Sequence, residues 1–299
     1  MLSAHPSRRA LIVLSSSALA LLGACGTDET PRAGAHDDFG DTISATAAPP
    51  QRIVSLNPTT TELLYAIGAG TRLVGRTTWD LYPPEVHNVP DLGPGLRPNV
   101  ESVIAARPDL VILYASDDNR DAARRLRASG IRVVAYRVDR IADFARVTHA
   151  LGELTGETTP ARVTVDTVQA TLARVRAATA TLPHQKAFWI LWENPLLAVG
   201  GGSFLNELLT AAGAHNVYES LPGPSPAVSF EDLVRRDPDV VLASPQSRQR
   251  ILADPRWQAL RAVRERRVLV FDTTIVNGPS ARVGASAVSL ARLLHPGVI

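Results

Sequence analysis

The chain has 299 residues, 31 basic and 29 acidic side chains, a formal net charge of +2 and one cysteine. Arg8 and Arg9 supply that surplus within a leading segment that contains no acid, so the rest of the chain is near neutral and its basic pI is no argument for nucleic-acid binding. With Cys25 the only thiol, no disulfide staples the fold.

In chain order, Arg8-Arg9 precede an apolar run from Ala10 to Leu22. The run is shorter than the roughly 20 residues that span a bilayer, and it fits a secretory signal peptide over residues 1–24. It ends in Leu22-Gly23-Ala24-Cys25, which resembles a bacterial lipobox and implies cleavage before Cys25 and lipidation of its thiol. Ser7-Arg8-Arg9 loosely resembles a twin-arginine export signal without the expected Phe, so the export route stays open. After Cys25 the chain carries Asp28, Glu29, Asp37, Asp38 and Asp41 among Pro, Gly and Thr, with almost no large apolar residue. Such a stretch buries too little to offset its ordering entropy, and residues 25–51 are expected to be a lipidated cysteine on a flexible tether.

Arg52 to Leu56 reads as a short strand ended by Asn57-Pro58, and Thr59 and Glu62 stand at capping-box spacing before Leu63, Leu64 and Ile67. Further strands are legible at Leu73-Val74-Gly75, Leu110 to Tyr114 and Val133 to Tyr136, with helical periodicity in Ser102 to Ala106, Arg120 to Ser129 and Ile141 to Leu154. From Thr159 to Thr181, Val163, Val165, Val168, Leu172 and Val175 recur at helical spacing without a Gly, which predicts one long helix ended by Pro183. Alternation resumes with Ala187 to Leu191, Phe204 to Ala212, Glu231 to Arg235, Val240 to Ala243, Trp257 to Val263 and Val268 to Phe271, and a final helix spans Val283 to Leu294. The expected fold class is α/β, with two lobes of mainly parallel sheet joined by one long helix. The lobes are placed at 52–157 and 184–299, with the bridge at 158–183.

One phrase occurs twice. Asn99-Val100-Glu101 leads through an apolar run to Pro108-Asp109-Leu110-Val111, and Ser229-Phe230-Glu231 leads to Pro238-Asp239-Val240-Val241. Each Glu stands seven residues before its Pro, and the two copies lie 130 residues apart. That period is too long for a solenoid and suits two similar lobes, each carrying one surface Glu at an equivalent place. Either Glu alone also suits the macrodipole at a helix N terminus. Their repetition favours a partner that grips both lobes.

The order and spacing of Arg52 to Pro58, Glu62-Leu63, Leu73-Val74-Gly75, Tyr82-Pro83-Pro84-Glu85, Asn99-Val100-Glu101, Pro108 to Val111, Asn194-Pro195 and Gly213 resemble the periplasmic binding proteins of ABC importers for cobalamin, ferric siderophores and haem. The resemblance covers Arg52 to Leu294. Thr77 to Pro84 followed by Pro98 to Glu101 is most similar to the cobalamin-binding branch. It implies a class III architecture, whose lobes are bridged by a rigid helix, and a ligand held in the cleft between them largely by aromatic side chains. Matching positions are Trp79, Tyr114 and Trp192, with Tyr82 and Asn277 as further contacts. Rigid aromatic faces supply area at low entropic cost, which suits a corrin disc. Gly95 and Ser225 stand where that branch often has aromatics. The resemblance further implies that Glu101 and Glu231 dock on arginines of the permease, and it makes the ABC permease and its ATPase the partners.

Cobalamin or a related corrinoid is thus the expected ligand, with a ferric siderophore or haem as alternatives. For haem, Tyr82 or Tyr114 is the candidate axial ligand, and for an anionic siderophore Arg76 and Arg282 are candidate cleft charges. Gly200-Gly201-Gly202-Ser203 reads as a turn with Ser203 capping a helix, against a weaker reading as a phosphate cradle. The seven His show no metal-ligand spacing, and no Gly-x-Ser-x-Gly, no His-Glu-x-x-His and no Cys nucleophile argues for an enzyme. The expectation is a monomeric, exported receptor, lipid-anchored in the periplasm or on the outer face of the cytoplasmic membrane, with no resident metal and no catalytic cofactor. An envelope enzyme and a structural lipoprotein are the competing classes.

Overall fold

A computed structural model describes residues 1–2, 36–43, 48–271 and 278–299. The signal segment, Cys25 and Asn277 lie outside the described residues. Everything below belongs to the compact unit Gly34–Ile299, which is distinct from the unit Met1–Ala33.

The N-terminal lobe runs β1 (Ile53–Leu56), α1 (Pro58–Ala66), β2 (Leu73–Gly75), α2 (Val100–Ala105), β3 (Leu110–Tyr114), α3 (Asp117–Ala128), β4 (Arg132–Tyr136) and α4 (Ile141–Thr155). Its sheet has the order β2-β1-β3-β4 and every pairing is parallel. All four residues of β1 are buried, as a strand covered on both faces by helices requires. Helix α5 (Thr158–Thr179) leads into the C-terminal lobe: β5 (Gln185–Glu193), β6 (Leu196–Ala198), α6 (Phe204–Ala211), β7 (Ala214–Asn216), α7 (Phe230–Arg236), β8 (Val240–Ala243), α8 (Pro245–Ala253), α9 (Arg261–Arg264), β9 (Val268–Val270) and α10 (Val283–Leu294). There β5 pairs in parallel with β7 and β8, and β8 with β9, while β6 folds back antiparallel on β5. The expected class therefore holds: α/β, with parallel pairing dominant in both sheets.

Ala161, Val165, Val168, Leu172 and Val175 form the buried stripe of α5, spaced three and four residues apart. With Val283, Ala287, Leu290, Ala291 and Leu294 of α10 they belong to one apolar cluster that includes Ile53, Leu64 and Ile112 on one side and Trp189, Leu208 and Leu242 on the other. Each fully buried Val or Leu contributes about 1.5–3 kcal/mol, so the lobes share a core and not only a linker. Gly152 lets α4 and α5 approach, since a Cβ there would stand 2.6 Å from that of Ala161.

Two local expectations are corrected. Asn57, not Thr59, caps α1: its Oδ1 accepts the Thr59 amide at 3.1 Å, and Glu62 is engaged elsewhere. In the stretch expected to be a free tether, residues 36–43 pack on the sheet edge, with Asp37 only 5 % exposed. Phe39 and Ile43 pack on the apolar clusters, Asp37 bonds the backbone of β4, and Asp38 bonds that of Arg137 just beyond it.

Candidate functional site

A cavity of about 980 Å³ opens between the lobes. From the N-terminal lobe it is lined by Tyr114, at the C-terminal end of β3, and by Asp139, three residues past β4. The other wall carries Trp192 and Glu193 at the end of β5, Ser203 at the start of α6, and Ser244, Gln246, Ser247 and Arg250 beyond β8. Ligand sites of parallel α/β sheets lie outside the carboxyl ends of the strands, and both sheets here turn those ends toward the cleft.

Of the aromatic residues expected at the site, Tyr114 and Trp192 are brought together. The Tyr114 hydroxyl donates to both carboxylate oxygens of Asp139, at 3.0 and 3.1 Å. Burial, reinforced by the Asp139 charge, pushes the Tyr114 phenol up to about 12. Burial also raises the Asp139 carboxyl above its ordinary value. Trp192 is 62 % exposed, its indole N–H donating to the Asn194 carbonyl at 2.9 Å, so its ring is presented and not buried. Trp79 and Tyr82 do not line this cavity. They stand exposed on the segment after β2, where the Trp79 amide is held by Thr77 Oγ1 at 3.1 Å and the Tyr82 ring lies under the Arg282 guanidinium at 4.3 Å. Asn277 falls outside the described residues, although the adjoining Gly278 reaches the cavity.

Reading the sequence missed the Glu193–Arg250 pair. Arg250 Nη2 lies 2.9 Å from Glu193 Oε1, and its hydrogen bonds hold the Glu193 carboxyl below the usual range. Glu193 ends β5 and Arg250 stands in the last turn of α8, and neither stood in a motif; the rule that sites gather at the ends of parallel strands was the available signal.

The candidate cleft charges are already engaged. Arg76 donates to the carbonyls of Val89 and Thr77, and Arg282 pairs with Glu62 at 2.7 Å. The triglycine has a packing role: a Cβ on Gly200, Gly201 or Gly202 would overlap backbone atoms of residues 219–223. Ser203 Oγ accepts the Leu205 amide at 3.1 Å, as a helix cap should. Among the described residues no group of His, Cys, Asp and Glu is arranged to hold a metal ion.

Glu101 and Glu231 occupy the same position of two equivalent helices, second residue after the caps Asn99 and Ser229. Asn99 accepts the Glu101 amide at 3.1 Å and Ser229 accepts the Asp232 amide at 3.1 Å. Both Glu side chains reach solvent, and Glu101 touches Arg125 at 3.0 Å while remaining 76 % exposed.

A family model described as periplasmic binding protein matches residues 53–274. Among curated proteins, the chain is 26 % identical over 210 residues to a vitamin B12-binding protein of Photorhabdus laumondii, covering 70 % of this chain and 76 % of that one. It is 29 % identical over 255 residues to the uncharacterised ABC transporter substrate-binding lipoprotein YvrC of Bacillus subtilis, covering 83 % and 81 %. Among solved structures, the periplasmic vitamin B12 binding protein BtuF of Vibrio cholerae superposes with a TM-score of 0.73 at 24 % identity, over 82 % of this chain and 97 % of that one. A periplasmic heme binding protein of Pseudomonas aeruginosa superposes equally well, TM-score 0.74 at 24 % identity over 83 % and 94 %, so these superpositions speak for the fold alone.

Proposed function

The chain belongs to the periplasmic binding protein family, solute receptors and not enzymes, and from that premise we propose that it captures a corrinoid of the cobalamin type in the interlobe cleft and delivers it to an ABC permease. The observation that carries the ligand class is the charge balance of the cleft. Among its described lining residues Arg250 is the only guanidinium, and Glu193 already neutralises it. The rest of the polar lining is the Asp139 carboxyl, bound by the Tyr114 hydroxyl, and the neutral groups of Ser203, Ser225, Ser244, Ser247, Gln246 and Asn194, set against the rings of Tyr114 and Trp192; it offers an anionic ligand no further cation. A bulky disc rimmed with neutral amides satisfies such a lining. The carboxylates of haem or the anionic donors of a ferric siderophore want cations without partners, and leaving them unmatched in a partly dry cleft is costly. The Tyr114 hydroxyl, committed to Asp139 and held neutral, is ill suited to be the tyrosinate that iron requires. The cavity stands at the upper end of small-molecule sites, about 300–1,000 Å³, as a large ligand demands.

In the same reading Cys25 carries the lipid anchor, and Glu101 and Glu231 are the two points of permease contact. Charge pairs at two separated points fix orientation and speed encounter more than they raise affinity.

Calorimetric titration of the purified chain with cobalamin, cobinamide, haem and a panel of ferric siderophores tests the proposal. Saturable one-to-one uptake of a corrinoid is the expected result. Uptake of haem or a siderophore alone overturns the ligand class and keeps the receptor; no uptake at all overturns both.

A further inference from the structure

Asp37 and Asp38 fasten residues 36–43 to the outer edge of β4. Asp37 folds its own segment into a turn, Oδ1 accepting the amides of Phe39 and Asp41 at 2.9 and 3.0 Å, while its Oδ2 accepts the Ala135 amide at 3.0 Å. The Asp38 amide donates to the Ala135 carbonyl at 2.9 Å, and Asp38 Oδ2 accepts the Arg137 amide at 2.7 Å. Arg127 takes the Val133 carbonyl at 3.2 Å and Arg146 the Arg137 carbonyl at 3.1 Å. Both outward-facing groups of Ala135, on the strand that ends the sheet, and both backbone groups of Arg137, just beyond that strand, are thus occupied. Blocking an edge protects a sheet from pairing with other chains, and that alone would account for the segment.

The fastening also reaches the cleft. Arg137 is followed by Val138 and Asp139, which line the cavity. Arg146 grips both oxygens of Asp38, at 2.9 and 3.0 Å, and lies 3.2 Å from Asp143 Oδ1. Asp143 Oδ2 in turn accepts the Asp139 amide at 3.2 Å. The turn is therefore held on one side of Val138 by Asp38 and on the other by Asp143, with Arg146 bridging the two acids. Asp139 is the group that accepts the Tyr114 hydroxyl.

We propose that Asp38 is a positioning residue of the ligand cleft: by holding Arg137 and Arg146 it fixes the turn at 137–139, and with it the orientation of Asp139 against Tyr114. The segment 36–43 then belongs to the binding site as its brace. This rests on the reading that the cleft takes a corrinoid, and the two are separable by experiment.

Asp38→Ala is made in the full chain, with Asp38→Asn as a milder variant that keeps an acceptor for the Arg137 amide. Amide exchange at Arg137 and Asp139 is expected to speed up by about tenfold. The cobalamin Kd is expected to rise about three- to tenfold, within the range of indirect couplings. In an Asp139→Asn background the effect of Asp38→Ala on Kd should vanish, whereas a loss of stability would persist. Faster exchange with unchanged Kd would reduce the segment to an edge cap and overturn the proposal. Unchanged exchange at Asp139 would overturn it outright. Should the wild-type chain take up no cobalamin, the ligand reading fails, and exchange at Asp139 still decides whether Asp38 fixes the turn.

Discussion

Arg282, which precedes α10, holds Glu62 of α1 through two hydrogen bonds, Nε to Oε2 at 2.9 Å and Nη2 to Oε1 at 2.7 Å. The pair lies 220 residues apart in sequence and joins the lobes, with side chains only 16 % and 10 % exposed. A second bolt is made by Glu207 of α6, whose Oε2 accepts the Ile141 amide at 2.7 Å while Oε1 takes Arg140, so a C-lobe carboxylate completes the N terminus of α4.

Removing one partner of a buried pair strands the other. Arg282→Met is expected to lower unfolding free energy by about 3 kcal/mol, read from chemical denaturation. Pairing it with Glu62→Gln should recover part of the loss, since no charge is then left alone. Additive losses would show that the two side chains act independently.

Trp192 presents its ring to the cleft at no folding cost, so Trp192→Ala should leave stability unchanged. Its cobalamin Kd should rise about tenfold, or about 1.4 kcal/mol. A calorimetric Kd within twofold of wild type would remove Trp192 from the site.

Tyr114 has a folded pKa raised from its ordinary value to about 12. The neutral phenol is the form the fold favours, so its contribution to stability is complete below about pH 10 and is lost as pH rises toward 12. In ¹³C NMR of tyrosine-labelled protein, the resonance absent from Tyr114→Phe should show no ionisation at about pH 10.5, where a solvated phenol is more than half ionised.

Glu101→Arg with Glu231→Arg reverses both surface charges without touching the cleft. Capture of cobalamin should be unchanged while ligand-driven ATP hydrolysis by the reconstituted importer falls at least about tenfold, as expected when orienting charge pairs turn repulsive. Equal loss of capture would place the two residues in ligand binding instead.

Cys25→Ser should abolish incorporation of labelled fatty acid and release the protein from membranes, with cobalamin affinity unaltered. Continued membrane retention would mean that the anchor is a different one.

The strands at 53–56, 110–114 and 240–243 were legible because they are short apolar runs broken only by Ser55, two of them entered from a Pro-Asp step, and α5 and α10 because their stripes repeat at helical spacing. Helix α8 was not, since Ile251 is its only buried residue and gives no stripe. The three-residue strands β6 and β7 are too short for any periodicity. Glu62 sat where a capping box would place it, and only its distant partner reveals a different role. The docking of residues 36–43 was invisible for the same reason: it depends on carboxylates bonding backbone about 98 residues away, and composition describes such acids only as solvated. At the site, Tyr114 and Trp192 were legible through the family resemblance, while Glu193, Arg250 and Asp139 acquire meaning only once both sheets face each other.

The apolar cluster that runs unbroken from one sheet through α5 and α10 into the other has a kinetic consequence. A receptor whose halves share an interior is a mould that exists before its ligand arrives, so association is expected to need no gating step and to proceed at the rate of rigid docking. Differences in affinity among its ligands, and among its variants, will then be written in residence time.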